Sequence, residues 1–112
     1  MSTIEVAVRV VMDLLVRGQY VTVEKVTRGR RLGADQISSA ISSYGRLLVP
    51  PGDDWWSYVK ITPTDAGDLP SFHVVAPLWT REEGRSDLAL EMILHESPLK
   101  VYDTELLNIH VL

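Results

Sequence analysis

Between Ile4 and Val16 the run IEVAVRVVMDLLV is interrupted by only three charged residues, Glu5, Arg9 and Asp13, and with Arg17 these fall at regular four-residue steps. On a helix such positions line up along one edge. Their alternating sign lets Glu5/Arg9, Arg9/Asp13 and Asp13/Arg17 form i,i+4 pairs. The rest of the cylinder is apolar and has to be covered by other parts of the chain or by a second copy. A small domain built around a nearly all-apolar helix needs a sheet or further helices to wrap it. The exposed part of the helix is therefore expected along Glu5, Arg9, Asp13 and Arg17 alone, with Val8, Val11 and Leu15 inside.

The chain has 112 residues, 46% of them hydrophobic, with 7 Gly and 6 Pro. That is the composition of one globular domain able to bury a single core. Cysteine is absent, so disulfides, thiolate metal sites and cysteine nucleophiles are excluded, and a reducing compartment, the cytoplasm, is expected. A net charge of -4 opposes binding to polyanions, so neither nucleic acid nor membrane is an expected partner. The apolar N-terminus is too charged for a targeting segment and too short to span a bilayer.

Ser2 with Glu5 reads as a capping box and Gly18 as the left-handed residue that ends the first helix, from about Thr3 to Arg17. Tyr20, Val23 and Val26/Thr27 space a second, short helix within Gln19 to Arg31. Ile37, Ala40, Ile41 and Tyr44 define a third, closed by Gly45. After the turn LLVPPGDD the pattern changes to alternation, giving strands over Trp55 to Thr62, Phe72 to Trp79, Asp87 to His95 and within Leu99 to Val111. Short links between them require antiparallel pairing. The expected architecture is one α+β domain over residues 1–112, with N-terminal helices (about 3–45) packed on one face of a four-stranded antiparallel meander sheet (about 55–112).

Alternation assigns Phe72, Val74, Ala76 and Leu78, then Leu88, Leu90, Met92 and Leu94, then Leu107, Ile109 and Val111, to the helix-facing side. The opposite side receives His73, Val75, Pro77 and Trp79, then Asp87, Ala89, Glu91, Ile93 and His95, then Asn108 and His110, with Trp56, Tyr58 and Lys60 from the first strand. All three histidines thus share the outer face.

A histidine face with Glu91 and Asp87 close by invites a metal reading, but no His-x-His or His-x3-His pair occurs and the histidines sit on separate strands, His73 and His110 about 10 Å apart by strand spacing. No metal and no cofactor is expected. Ser57-Tyr58-Val59-Lys60 matches a serine/lysine catalytic pattern that belongs at the start of a helix, whereas here it falls in a strand. No nucleophile elbow, phosphate loop or dinucleotide fingerprint is present, so no catalytic residue is assigned. Asp53/Asp54 and Glu82/Glu83 read as solvated turns. Lys25, Arg28, Arg30 and Arg31 form the one basic cluster, suited to an acidic partner or simply to solubility. Trp56, Tyr58 and Trp79 would make an aromatic patch on the outer face, a surface for a protein partner or for self-association, with His73, Glu91 and His95 as polar neighbours.

The stretches YGRLLVPPGDDWW, APLWTREEGRSDLALEM and the closing LLNIHVL resemble a family of small uncharacterised bacterial proteins that share the Pro-Leu-Trp, Glu-Gly-Arg-Ser-Asp-Leu and terminal His-Val-Leu pieces over nearly the whole chain. The resemblance implies no activity. In outline the helices-then-meander order is also similar to cystatin-like and NTF2-like shapes, a likeness of fold that carries no chemistry. The favoured expectation is a non-enzymatic protein-binding domain, of immunity or accessory type, associating with a protein partner or as a homodimer. The alternative is an NTF2-like pocket protein that binds or converts a small molecule, for which Tyr20, Tyr44 and Ser57 are the inward polar candidates.

Overall fold

The computed structural model describes residues 3–29, 31–64, 70–97 and 102–112. Three helices, α1 (Thr3–Val16), α2 (Tyr20–Val26) and α3 (Ala34–Tyr44), precede strands β1 (Leu48–Val49), β2 (Lys60–Thr64), β3 (Ser71–Thr80), β4 (Gly84–Glu96) and β5 (Tyr102–Val111). All pairings are antiparallel. β3, β4 and β5 are neighbours in that order, and β1 and β2 share the other edge of β3, β2 along Ser71–Val75 and β1 along Trp79–Thr80. This is the expected α+β meander with β1 added.

Helix α1 ends as its sequence predicts. Gly18 is left-handed (φ 71°), its N–H donates to Leu15 O at 3.1 Å and the Gln19 N–H to Leu14 O at 2.9 Å, so the last carbonyls are satisfied. The proposed Ser2 cap lies outside the described residues. Val8, Val11, Met12 and Leu15 are buried, as the apolar arc requires. The exposed arc is wider than the charged stripe, however. Val6 and Val10 are each 45% exposed, while Arg9 is half-buried and holds its guanidinium 5.6 Å from the centre of the Trp55 ring. The stripe leans toward Trp55, which moves the solvent face onto the two valines. One rung of the ladder, Arg9 Nε to Asp13 Oδ1, closes at 2.8 Å.

Helices α2 and α3 are joined by a side chain no spacing rule singles out. The Glu24 carboxylate accepts the Ala34 N–H at 3.1 Å, placing negative charge at the N-terminus of α3. A Cβ at Gly33 would come within 2.7 Å of Glu24 Oε1, so a larger residue there would displace the Glu24 carboxylate from its present position. Gln36 Oε1 accepts the Gly33 N–H at 2.9 Å, and Gly45 (φ 76°) terminates the helix.

The core is one apolar cluster. Val8, Val11, Met12 and Leu15 of α1, Val23 of α2 and Ile37 and Ile41 of α3 meet Val74, Ala76, Leu78, Leu88, Leu90, Met92 and Leu94 of the sheet. Two of the alternation assignments fail. At β5 the register slips between Glu91 and Met92, so Leu107 is the extra residue of a bulge: Ile109 and Val111 keep the expected helix-facing side, opposite Leu90 and Leu88, while Leu106 and Thr104 take the inward positions before the bulge in place of Leu107. Val111 is 54% exposed. The expected strand over Trp55–Thr62 begins only at Lys60: Trp55–Tyr58 is a turn of 3-10 helix, with Ser57 Oγ donating to Asp54 O at 2.7 Å. Alternation does not apply across such a turn. Trp55 is buried and Trp56 packs partly buried against the core, its ring 5.3 Å from Trp55.

Candidate functional site

Helices α1, α2 and α3 cover one face of the sheet, and the opposite face carries all three histidines together with Glu91, Asp103 and Glu105. Across it run the rows Lys60–Val75–Glu91–Asn108, Thr62–His73–Ile93–Glu105 and Thr64–Ser71–His95–Asp103, with Pro77–Ala89–His110 beyond. All three histidines do share this face.

The strands of His73 and His110 flank β4, yet both side chains lean to the same carboxylate between them. His73 Nε2 lies 2.5 Å from Glu91 Oε2 and His110 Nε2 lies 2.9 Å from Glu91 Oε1. The His73 hydrogen bond, and then that of His110, hold the Glu91 carboxyl below the usual carboxylate range against the opposing effect of its partial burial. An ionised carboxylate only accepts, so both imidazoles donate. Glu91 is thus an ion fixed in place by neighbours on either side. Among the described residues no group of three or more His, Asp or Glu has metal-holding geometry.

The third histidine stands in a separate relay. Its Nε2 lies 3.3 Å from Glu105 Oε2 and its Nδ1 lies 3.1 Å from Ser71 Oγ, while Arg31 Nε holds the other Glu105 oxygen at 2.8 Å. The order hydroxyl, imidazole, carboxylate is that of a nucleophilic triad. Ser71 is only 2% exposed, however, and a carbonyl carbon cannot approach a covered hydroxyl. The relay ties β3, β4 and β5 together and anchors the loop before α3. Two members of the basic cluster take part in this anchoring, Arg31 on Glu105 and Arg28, which reaches Asp103 at 3.6 Å. Arg30 lies outside the described residues.

At the other end of the face sits the aromatic group. Tyr58, 40% exposed, packs edge-on to Trp79 at 6.3 Å, and the Arg85 guanidinium lies 3.9 Å from the Tyr58 ring centre. Of the predicted patch, Tyr58 and Trp79 come together, whereas Trp56 is turned toward the core by the 3-10 turn. His73 and Glu91 are in direct contact, and His95 is one row away with other partners. A depression of about 230 Å³ opens beside this group, lined by Lys60, Val75, Pro77, Arg85 and Asp87.

Glu82 and Glu83 are exposed turn residues, as expected, and each also accepts hydrogen bonds that tie the turn to its neighbours. Glu83 accepts from the Tyr44 hydroxyl at 2.7 Å and from Thr80 and Ser86 at 2.9 Å, and the Tyr44 hydrogen bond lowers the Glu83 carboxyl while raising the Tyr44 phenol. Glu82 accepts the Leu47 N–H at 3.0 Å. The only sequence trace of this knot is a Thr-x-x-Glu turn followed by Ser. The inward polar candidates do not converge: Tyr44 and Ser57 use their hydroxyls on Glu83 and Asp54, Tyr20 packs against the core, and apolar side chains occupy the space between helices and sheet.

Among the described residues no helix is long and apolar enough to cross a membrane. The chain matches no curated protein and no solved structure. Residues 12–112 match the family model described as a domain of unknown function, DUF7668, and over that length, which takes in α2, α3 and every strand of the sheet, the chain belongs to this family.

Proposed function

We propose that this is a small non-enzymatic protein-binding domain, an immunity-type or accessory protein of the bacterial cytoplasm, that associates through the outer face of its sheet. The observation that carries the reading is the contrast between that face and the edges beside it. Both outermost strands carry features that discourage strand addition. β2 holds Pro63, which has no N–H, and the charged Lys60; β5 is bulged at Leu107 and guarded by Arg28 and Arg31. The face between them lacks such protection. It offers Ile93, Val75, Trp79 and Tyr58 around ionic groups already held in position, the mixture found in non-obligate interfaces. Preorganised polar groups reduce the ordering cost of binding.

A homodimer and a foreign protein are both compatible with such a surface. Apolar side chains fill the space between helices and sheet, which gives the pocket reading no observation to favour it. The test compares three purified forms: the natural chain, Tyr58→Ala/Ile93→Glu on the sheet face, and Val6→Glu/Val10→Glu on α1. Light scattering measures self-association, and quantitative capture from cells of the source organism measures partner binding. Loss confined to the sheet-face variant is expected. Loss confined to the helix variant, or association unchanged in both, would overturn the proposal.

A further inference from the structure

The depression beside Tyr58 lies on the face just assigned to association, and its chemistry narrows the partner. Its floor is apolar, made by Val75 and Pro77. The sheet register shifts between Pro77 and Trp79, with β4 carrying the additional residues, and the groove opens beside this irregularity. Two cations, Lys60 and Arg85, border the groove together with Asp87, and Ser86 and Leu112 complete its lining, in a chain whose overall charge is negative.

The cations are presented differently. Arg85 is stacked on Tyr58, which is itself packed on Trp79, so its guanidinium is held in a defined plane with a fork of donors available. Lys60 has no ion pair among the described residues and stands at the opposite strand, across from Val75. Asp87 shares the groove with them, whereas the acids on the adjoining turn and strand are engaged elsewhere. Glu83 is held by Tyr44, Thr80 and Ser86, Glu82 by the Leu47 N–H, and Glu91 by its two histidines.

We infer that this groove takes an acidic side chain of a partner protein together with an adjoining apolar residue. The carboxylate accepts from Arg85 and Lys60, and the apolar neighbour lies on Val75 and Pro77. This rests on the reading of the outer face as the association surface, and it names what that surface recognises.

The probe is a capped peptide, acetyl-Leu-Glu-Val-Glu-Leu-amide, titrated into the full chain at low salt and followed by amide chemical shifts, with the glutamine counterpart as control. Shifts are expected around Lys60, Val75, Arg85 and Asp87. Affinity should fall about tenfold, equivalent to one charged contact of about 1.4 kcal/mol, for the glutamine peptide and for Arg85→Gln/Lys60→Gln, and should weaken with added salt. Arg85→Lys should retain part of the binding, and unchanged shifts in α1 and β5 report that each variant is folded.

Equal binding of the two peptides, binding that survives Arg85→Gln/Lys60→Gln, or shifts centred on Lys25 and Arg28 would overturn the assignment. So would a dimer of the natural chain that Arg85→Gln/Lys60→Gln converts to monomer, since the occupant would then be a second copy. If the peptide fails to bind while Tyr58→Ala/Ile93→Glu still abolishes association, the groove assignment falls and the sheet-face reading stands. If the peptide binds the groove but association is indifferent to Tyr58→Ala/Ile93→Glu, the sheet-face reading falls.

Discussion

The two faces of the sheet are ordered by different physics. On the helix side, Val74, Ala76, Leu90, Met92 and Leu94 are wholly buried, and stability comes from apolar area removed from water and from close packing. On the other side these strands and β5 present His73, Glu91, His95 and His110 half-exposed, and order comes from hydrogen bonds between side chains on adjacent strands. The difference teaches that the outer face is specified without being essential to the core. A surface that keeps its ions in place while contributing little to the core is free to serve recognition.

The comparison is sharpened most by Leu90→Ala. Leu90 is fully buried between Ala76 and Ile109, and its truncation should cost about 2–5 kcal/mol in denaturant titration. A loss under about 0.5 kcal/mol, the scale of surface changes, would break the distinction between the faces.

Glu91→Gln comes next, at about 1 kcal/mol, since its hydrogen bonds face solvent on one side. This variant also has a signature in pH. The folded carboxyl of Glu91 lies below its ordinary value, so the unfolded chain binds the proton more readily. The contribution is complete above the ordinary carboxylate range and is lost as pH falls through the folded value. Glu91→Gln should therefore flatten the acid limb of the stability profile. An acid limb identical to that of the natural chain would show that the histidine clamp does not contribute.

The smallest change is expected for Ile93→Thr, which keeps a β-branched side chain on the outer face and should cost less than about 1 kcal/mol. A loss as large as that of Leu90→Ala would mean that the outer face is a second core, covered in the working assembly.

How much of this was readable in the sequence depends on the range of the interactions involved. The ends of α1 and α3 were legible because Gly18 and Gly45 act locally on backbone dihedral angles. The inward residues of β3 and β4 followed from simple alternation. Alternation failed where a residue was added: the bulge at Leu107 gives the inward positions before it to Leu106 and Thr104, and nothing in LLNIHV separates a bulge from a regular strand. Trp55–Tyr58 carries strand-forming residues, yet the turn set by Asp54 winds it into 3-10 helix, which removed Trp56 from the predicted patch. Sequence placed the three histidines on one face but not their partners. The meeting of His73 and His110 at Glu91 depends on register across three strands, and Tyr44 with Glu83 joins residues 39 positions apart. Contacts of that span leave no local periodicity.

The divided edge of β3 has a consequence for local opening. β2 covers Ser71–Val75 and β1 covers Trp79–Thr80, and the strand between them contains Pro77, the residue with no amide hydrogen to leave unpaired. The segment from Leu48 to Tyr58 is therefore paired with the sheet over two residues, its other links being side-chain packing of Leu48, Trp55, Trp56 and Tyr58, while β2 to β5 form a continuous ladder. In hydrogen-exchange terms these are separate opening units. The amides of Leu48 and Val49 should exchange by a low-energy detachment that leaves the meander closed, whereas those of Val74 and Leu90 wait for global unfolding. Such a detachment would carry Tyr58 away from Arg85 and Trp79, so the aromatic end of the outer face has a lifetime of its own, shorter than that of the fold that carries it.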